Sequence, residues 1–167
     1  TTKIENLKSE TLSFLNAIKK SKKNFVLIYP NNDHGSNIIL KEYKNINSSK
    51  FKILPSMRFE YYLTLLKNSK VIVGNSSSGI MEAPYYGVPT INIGDRQKNR
   101  SKLKTIQHCK FKEKKILSLI NKMFLKKDRN KTKSEFGKGR SFEIFDKILR
   151  SKKLWKIDTQ KQFQDIK

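Results

Sequence analysis

Residues 71–96 constrain the fold of this chain more than any other stretch. They run Val-Ile-Val-Gly-Asn-Ser-Ser-Ser-Gly-Ile-Met-Glu-Ala-Pro-Tyr-Tyr-Gly-Val-Pro-Thr-Ile-Asn-Ile-Gly-Asp-Arg. The pattern reads as strand, loop, helix, turn, strand, loop. Val71 to Val73 is a short apolar, β-branched run of the kind a buried strand uses, and Gly74 ends it. Asn75, Ser76, Ser77 and Ser78 crowd the expected start of a helix over 78–86. Val88 to Ile93 supplies the next buried strand, entered through Gly87 and Pro89.

The chemistry of this stretch points to a ligand. Free N–H groups and the positive dipole end make a helix start an anion site. Ser76 and Ser77 add hydroxyl donors, and Gly79 is expected to let a ligand approach the backbone closely. Glu82 lies about a turn further in. A carboxylate there repels phosphate, so its natural partner is a pair of hydroxyls, such as those of a ribose. Asp95 and Arg96 sit just past the second strand, where ligands gather in open parallel sheets. Phosphate donors, a diol acceptor and an arginine in one crevice suggest a nucleotide diphosphate. The plainer alternative is an ordinary βαβ unit capped by serine with Glu82 solvated. It stays open here, because single short motifs misfire often.

The rest of the chain continues the alternation. Residues 3–20 carry Ile4, Leu7, Leu12, Leu15 and Ile18 at helical spacing. Phe25 to Tyr29 reads as a buried strand. Pro30 to Ser36 form a loop of turn formers at its C-terminal end. There Asn31 and Asn32 either contact a base or sugar or bond their own backbone. His34 reads as a loop residue, since nothing nearby orients it as a base. A helix follows over 38–43, then a strand over Phe51 to Leu54. The helix expected over 58–68 turns Phe59, Tyr62, Leu63, Leu65 and Leu66 mostly inward. The loop over 94–104 is strongly basic, with one or two of its cations expected on phosphate. Thr105 to Gln107 is a last strand, and Glu113 to Leu125 a helix. Lys126 to Lys133 reads as a charged linker. Ser141 is expected to cap a final helix over 141–150, and Trp155 to act as a packing anchor. Short strands alternating with helices argue for an α/β, doubly wound parallel sheet covered on both faces, a Rossmann-like domain.

Composition narrows the partners. The 167 residues suit one domain with a real core. Net charge is +23 and the pI about 10.1, a balance that invites nucleic acid or another polyanion. Yet 31 of the 37 basic residues are scattered lysines, and arginine, which makes bidentate phosphate contacts, is scarce. Nucleic acid is therefore not the expected partner. Cys109 is alone, and it forms no metal-type spacing with His108 or any other residue, so no metal site is expected. A reducing cytoplasm is the plain inference. No apolar run approaches the roughly 20 residues of a membrane span.

The block Gly74-Asn-Ser-Ser-Ser-Gly-Ile-Met-Glu-Ala-Pro84, followed by Gly87-Val-Pro-Thr-Ile-Asn-Ile-Gly-Asp-Arg-Gln-Lys-Asn-Arg100, closely resembles the UDP-N-acetylglucosamine 2-epimerases. The likeness is to their hydrolysing, sialic-acid-pathway branch. Tyr29-Pro-Asn-Asn-Asp-His-Gly-Ser36 matches a second family element. The resemblance covers residues 1–150 and leaves 151–167 as a polar tail. It implies the second of two Rossmann-like domains in a GT-B architecture, the one that holds the UDP half of the substrate. Carried over, Ser76 and Ser77 take the diphosphate, Glu82 the ribose hydroxyls, Asn31 the nucleotide, and Arg96 lies near the diphosphate. Where many relatives carry glycine, this chain has Asn99.

The family reaction eliminates UDP across C1 and C2 of the sugar and adds water to the glycal, releasing N-acetylmannosamine. Its key carboxylates lie in the first domain, and a His-Pro-Val histidine lies just upstream of the position of Thr1. The resemblance therefore implies no catalytic residue in this chain, no cofactor, a missing N-terminal domain as partner, and the family's dimer. Two other classes remain: a non-catalytic nucleotide-binding remnant, and the donor domain of a GT-B glycosyltransferase.

Overall fold

The computed structural model describes residues 4–125, 135–137 and 139–157. The chain forms two compact units, Thr1–Lys133 and Ser134–Lys167, and each is described by itself.

In the first unit, α1 (Ile4–Lys20) leads into β1 (Phe25–Ile28), α2 (Ser36–Lys44), β2 (Phe51–Leu54), α3 (Phe59–Asn68) and β3 (Ile72–Gly74). Then come the single turn α4 (Ser78–Met81), β4 (Thr90–Ile93), β5 (Ile106–Cys109) and α5 (Glu113–Leu125). Every recorded strand pair is parallel. β1 pairs with β2 from Phe25 opposite Phe51 to Ile28 opposite Leu54, and the Phe25 and Phe51 rings stack 5.8 Å apart. β4 lies between β3 and β5, with Gly74 opposite Asn92 and Asn92 opposite His108.

The two ladders share one core. Leu27 of β1 and Ile91 and Ile93 of β4 pack with Leu15 and Ile18 of α1 and Ile116 and Ile120 of α5. On the other face, Leu66 of α3 packs with Ala83 and Val88. All four residues of β4 are buried, as a strand covered on both faces requires. The alternate residues Ile91 and Ile93 serve one face, while Thr90 bonds α4 on the other. The doubly wound, Rossmann-like α/β arrangement expected from the alternation is the fold observed.

Several details differ from the expectation. The helix read over 78–86 is only Ser78–Met81, followed by a 3-10 turn at Pro84–Tyr86. Pro84 has no N–H to give and its ring blocks a continuing α-helix. Gly87, at φ 67°, then turns the chain into β4. The last strand is Ile106–Cys109 rather than 105–107, because it pairs with all four residues of β4. Phe59 is 61% exposed, not inward: it opens α3, and the inward face begins at Tyr62.

In the second unit, α6 (Ser141–Leu149) is capped by Arg140 with no side-chain cap bond, so Ser141 opens the helix without capping it. Trp155 is 73% exposed and donates its indole N–H to the Leu149 carbonyl at 2.8 Å, so it does not anchor packing within its own unit. The linker read over 126–133 lies outside the described residues, and so does the tail beyond 157.

Candidate functional site

The site is built from three loops at the C-terminal ends of β1, β3 and β4. The first follows Gly74, whose φ of 148° suits glycine and beside which a side chain would meet nothing within 4 Å. The chain then exposes Asn75, Ser76 and Ser77. The Ser78 N–H donates to Ser76 Oγ at 3.3 Å. The Ser77 carbonyl accepts from the Ile80 and Met81 N–H groups at 2.8 and 2.9 Å. Among the described residues, the N–H groups of Ser76 and Ser77 and the Ser77 hydroxyl have no protein acceptor. With α4 a single turn, the open groups here are local backbone and side-chain donors rather than the end of a long helix dipole.

Glu82 follows α4. Its Oε2 is buried without a hydrogen-bond partner. Tyr62 on α3 meets Ser78 Oγ through its hydroxyl at 2.5 Å. Burial pushes the Tyr62 phenol above its usual range; the Ser78 bond pulls it back, and the Glu82 charge adds to the rise. Tyr62, Ser78 and Glu82 are therefore neighbours. A buried carboxylate oxygen without a donor is costly, and a diol is the type of group that relieves it.

The other two loops are drawn in by Gln97 and Arg96. Gln97 is 2% exposed, donates from Nε2 to the Asn75 carbonyl at 3.1 Å, and accepts from Arg100 Nη1 at 2.7 Å. Arg96 Nη1 reaches Asp33 Oδ2 at 3.4 Å, with both side chains more than half exposed. An exposed pair of this length holds weakly, so Arg96 is free to turn to a stronger anion. Asn31, exposed on the Asp33 loop, joins the group only through that loop. Ser76 and Ser77 thus share one turn, Glu82 follows on the next beside Ser78 and Tyr62, and Arg96 is tied in through its neighbour Gln97.

Gly79 has a different role from the one expected. It is buried, and a Cβ there would lie 2.6 Å from Thr90 Cγ2. Thr90 Oγ1 donates to the Gly79 carbonyl at 2.6 Å. The glycine lets α4 sit on β4; it is not where a ligand meets the backbone.

Sequence reasoning missed Gln97 as a brace and Tyr62 as the partner of Ser78. Gln97 carries no periodic signal, only its place in the Asp-Arg-Gln run. Asn99 has φ 62°, the left-handed region that asparagine tolerates better than most residues. Asparagine is therefore suited to this turn. Asn99→Val is expected to cost about 1–2 kcal/mol, while Asn99→Gly leaves the thermal midpoint nearly unchanged in a melting experiment.

Among the described residues, no cluster of three or more His, Cys, Asp or Glu side chains is placed to hold a metal ion. No helix among them is long and apolar enough to cross a membrane.

Comparison with known proteins gives these loops a context. Residues 1–150 match the family model described as UDP-N-acetylglucosamine 2-epimerase. The chain is 39% identical over 168 residues to the UDP-N-acetylglucosamine 2-epimerase of Neisseria meningitidis, covering 99% of this chain and 45% of that protein. It is 40% identical over 104 residues to the hydrolysing GDP/UDP-N,N'-diacetylbacillosamine 2-epimerase of Campylobacter jejuni, covering 62% of this chain and 24% of that one. The crystal structure of the Methanocaldococcus jannaschii UDP-GlcNAc 2-epimerase in complex with UDP-GlcNAc and UDP superposes with a TM-score of 0.67 at 25% identity. That match covers 84% of this chain and 41% of that one. The chain thus spans less than half the length of these relatives, as one Rossmann-like domain of a GT-B architecture does. It belongs to the UDP-N-acetylglucosamine 2-epimerase family.

Proposed function

We propose that this chain is the UDP-holding half of a hydrolysing UDP-N-acetylglucosamine 2-epimerase, which converts UDP-N-acetylglucosamine to N-acetylmannosamine and UDP. The observation that carries the reading is the buried, unpartnered Oε2 of Glu82 beside a turn with unused donors at Ser76 and Ser77. In this reading Glu82 accepts from the ribose hydroxyls, the Ser76 and Ser77 N–H and hydroxyl groups hold the diphosphate, and Asn31 meets the nucleotide. Arg96 exchanges Asp33 for the diphosphate.

These contacts also bear on the chemistry. As UDP leaves C1, negative charge builds on the diphosphate, and fixed donors there favour departure. The acid and base groups that move the C2 proton and add water belong to the rest of the protein. The hydrolysing outcome is supported by the Campylobacter jejuni relative, and the chain's 45% share of the Neisseria meningitidis protein supports a second half. The proposed product feeds sialic acid synthesis in the cytoplasm, and the full enzyme is a dimer.

The test joins this chain to the half of the protein that its relatives carry before it and follows N-acetylmannosamine and UDP release from UDP-N-acetylglucosamine. The expected result is turnover, reduced at least about tenfold by Ser77→Ala through loss of a donor to the leaving group. Turnover without N-acetylmannosamine overturns the hydrolysing assignment. No turnover, with UDP still bound, favours a binding remnant.

A further inference from the structure

A cleft lies beside the loops of the first site. This cleft of about 550 Å³ opens at the C-terminal ends of β4 and β5, lined by residues 94–102 and 108–110 in part. Its lining includes none of Asn31, Ser76, Ser77 or Glu82. Lys98, Lys102 and Lys110 bring positive charge, His108 and Cys109 lie with them, and Asp95 is the acidic member.

Lysines on so basic a chain say little by themselves. The buried residue behind them says more. Asn92, at the centre of the all-buried β4, is 1% exposed. An amide in that position is costly unless its polar atoms are paired; its Oδ1 is buried without a partner, and only its nitrogen is used. Its Nδ2 lies 3.3 Å from the Gly94 carbonyl and 3.0 Å from His108 Nδ1. The carbonyl can only accept, which fixes the nitrogen of the amide toward both partners. His108 Nδ1 is then the accepting nitrogen, and the ring proton sits on Nε2. With Nδ1 bonded to the buried Asn92, the donor that the exposed His108 ring has left is Nε2–H, and the residue lines the cleft with the lysines. The Gly94 N–H donates to the Cys109 carbonyl at 2.8 Å, which fixes the two strand ends against each other.

We propose that this cleft is a second ligand site, which binds the oxyanion of a small polar molecule, a phosphate monoester or a carboxylate. His108 Nε2–H is its oriented donor, and Lys98 and Lys110 are its charges. The site is independent of UDP.

The test titrates the whole chain with glucose 6-phosphate, glucuronate and neutral glucose, following the His108 ring by NMR and affinity by calorimetry. The expected result is a saturable shift of the His108 resonances with at least one anion and none with glucose. Which anion saturates identifies the phosphate or the carboxylate. Lys98→Gln and His108→Gln are each expected to weaken binding about tenfold, as loss of a charge-assisted hydrogen bond does. Lys41→Gln, which removes equal charge on α2, is expected to change it less than about twofold, since it removes no such bond. Saturating UDP leaves the titration unchanged. Overturning results are saturation by neither anion, equal weakening by Lys41→Gln and Lys98→Gln, or displacement by UDP. Displacement would assign the probe to the Ser76–Ser77 turn and leave the proposed UDP site standing.

Discussion

Gly79→Ala is expected to lower the thermal midpoint of this chain by about 5–15 °C, at roughly 2–4 °C per kcal/mol for a domain of this size. The added methyl would stand 2.6 Å from Thr90 Cγ2, a distance that forces α4 off β4. Overpacking of this kind costs about 1–3 kcal/mol. Lifting α4 also stretches the 2.6 Å bond from Thr90 Oγ1 to the Gly79 carbonyl, leaving a buried hydroxyl in want of an acceptor, a further 1–3 kcal/mol or so. The double variant Gly79→Ala with Thr90→Ser removes the opposing methyl and keeps the hydroxyl. It is expected to recover more than half of the loss. If Gly79→Ala alone melts like the parent chain, the close packing of α4 on β4 is wrong.

Glu82→Gln is expected to weaken UDP binding about ten- to a hundredfold, the range for a hydrogen bond to a charged group. The melting temperature should change little, because the Glu82 Oε2 has no protein partner to lose. The effect should be specific to the ribose. The parent chain is expected to bind 2'-deoxy-UDP less well than UDP, and Glu82→Gln to narrow that gap. A gap of the same size in both proteins would mean that Glu82 does not meet the 2'-hydroxyl.

Much of this was legible in the residues. The runs Phe25 to Tyr29 and Val88 to Ile93 read as buried strands because each is short, largely apolar and bounded by turn formers; the strands form at Phe25–Ile28 and Thr90–Ile93, and the second is buried throughout, but in the first only Leu27 is buried and Val26 is exposed. Glu113–Leu125 read correctly to both ends, from the helical spacing of Ile116, Leu117, Ile120 and Phe124, although its buried residues are Ile116, Leu119, Ile120 and Met123. The length of α4 was misjudged because the pattern up to Tyr86 is helical apart from Pro84, which breaks it. The role of Gly79 was misread because a glycine beside serines suggests a ligand loop, and only the path of β4 reveals Thr90 against it. The family motif pointed to Ser76, Ser77 and Glu82 as a group. It could not show that Gln97 would be buried and bonded to Asn75, because that depends on how a polar loop folds back over the end of β3.

The central claim is that the turn at Ser76 and Ser77, with Glu82, holds UDP. It is tested most directly by calorimetric titration of this chain with UDP at moderate salt, with ADP as competitor and with the Ser77→Ala and Glu82→Gln variants. The account predicts saturable binding that favours UDP over ADP and weakens in both variants. Saturable UDP binding that is indifferent to both substitutions would contradict it.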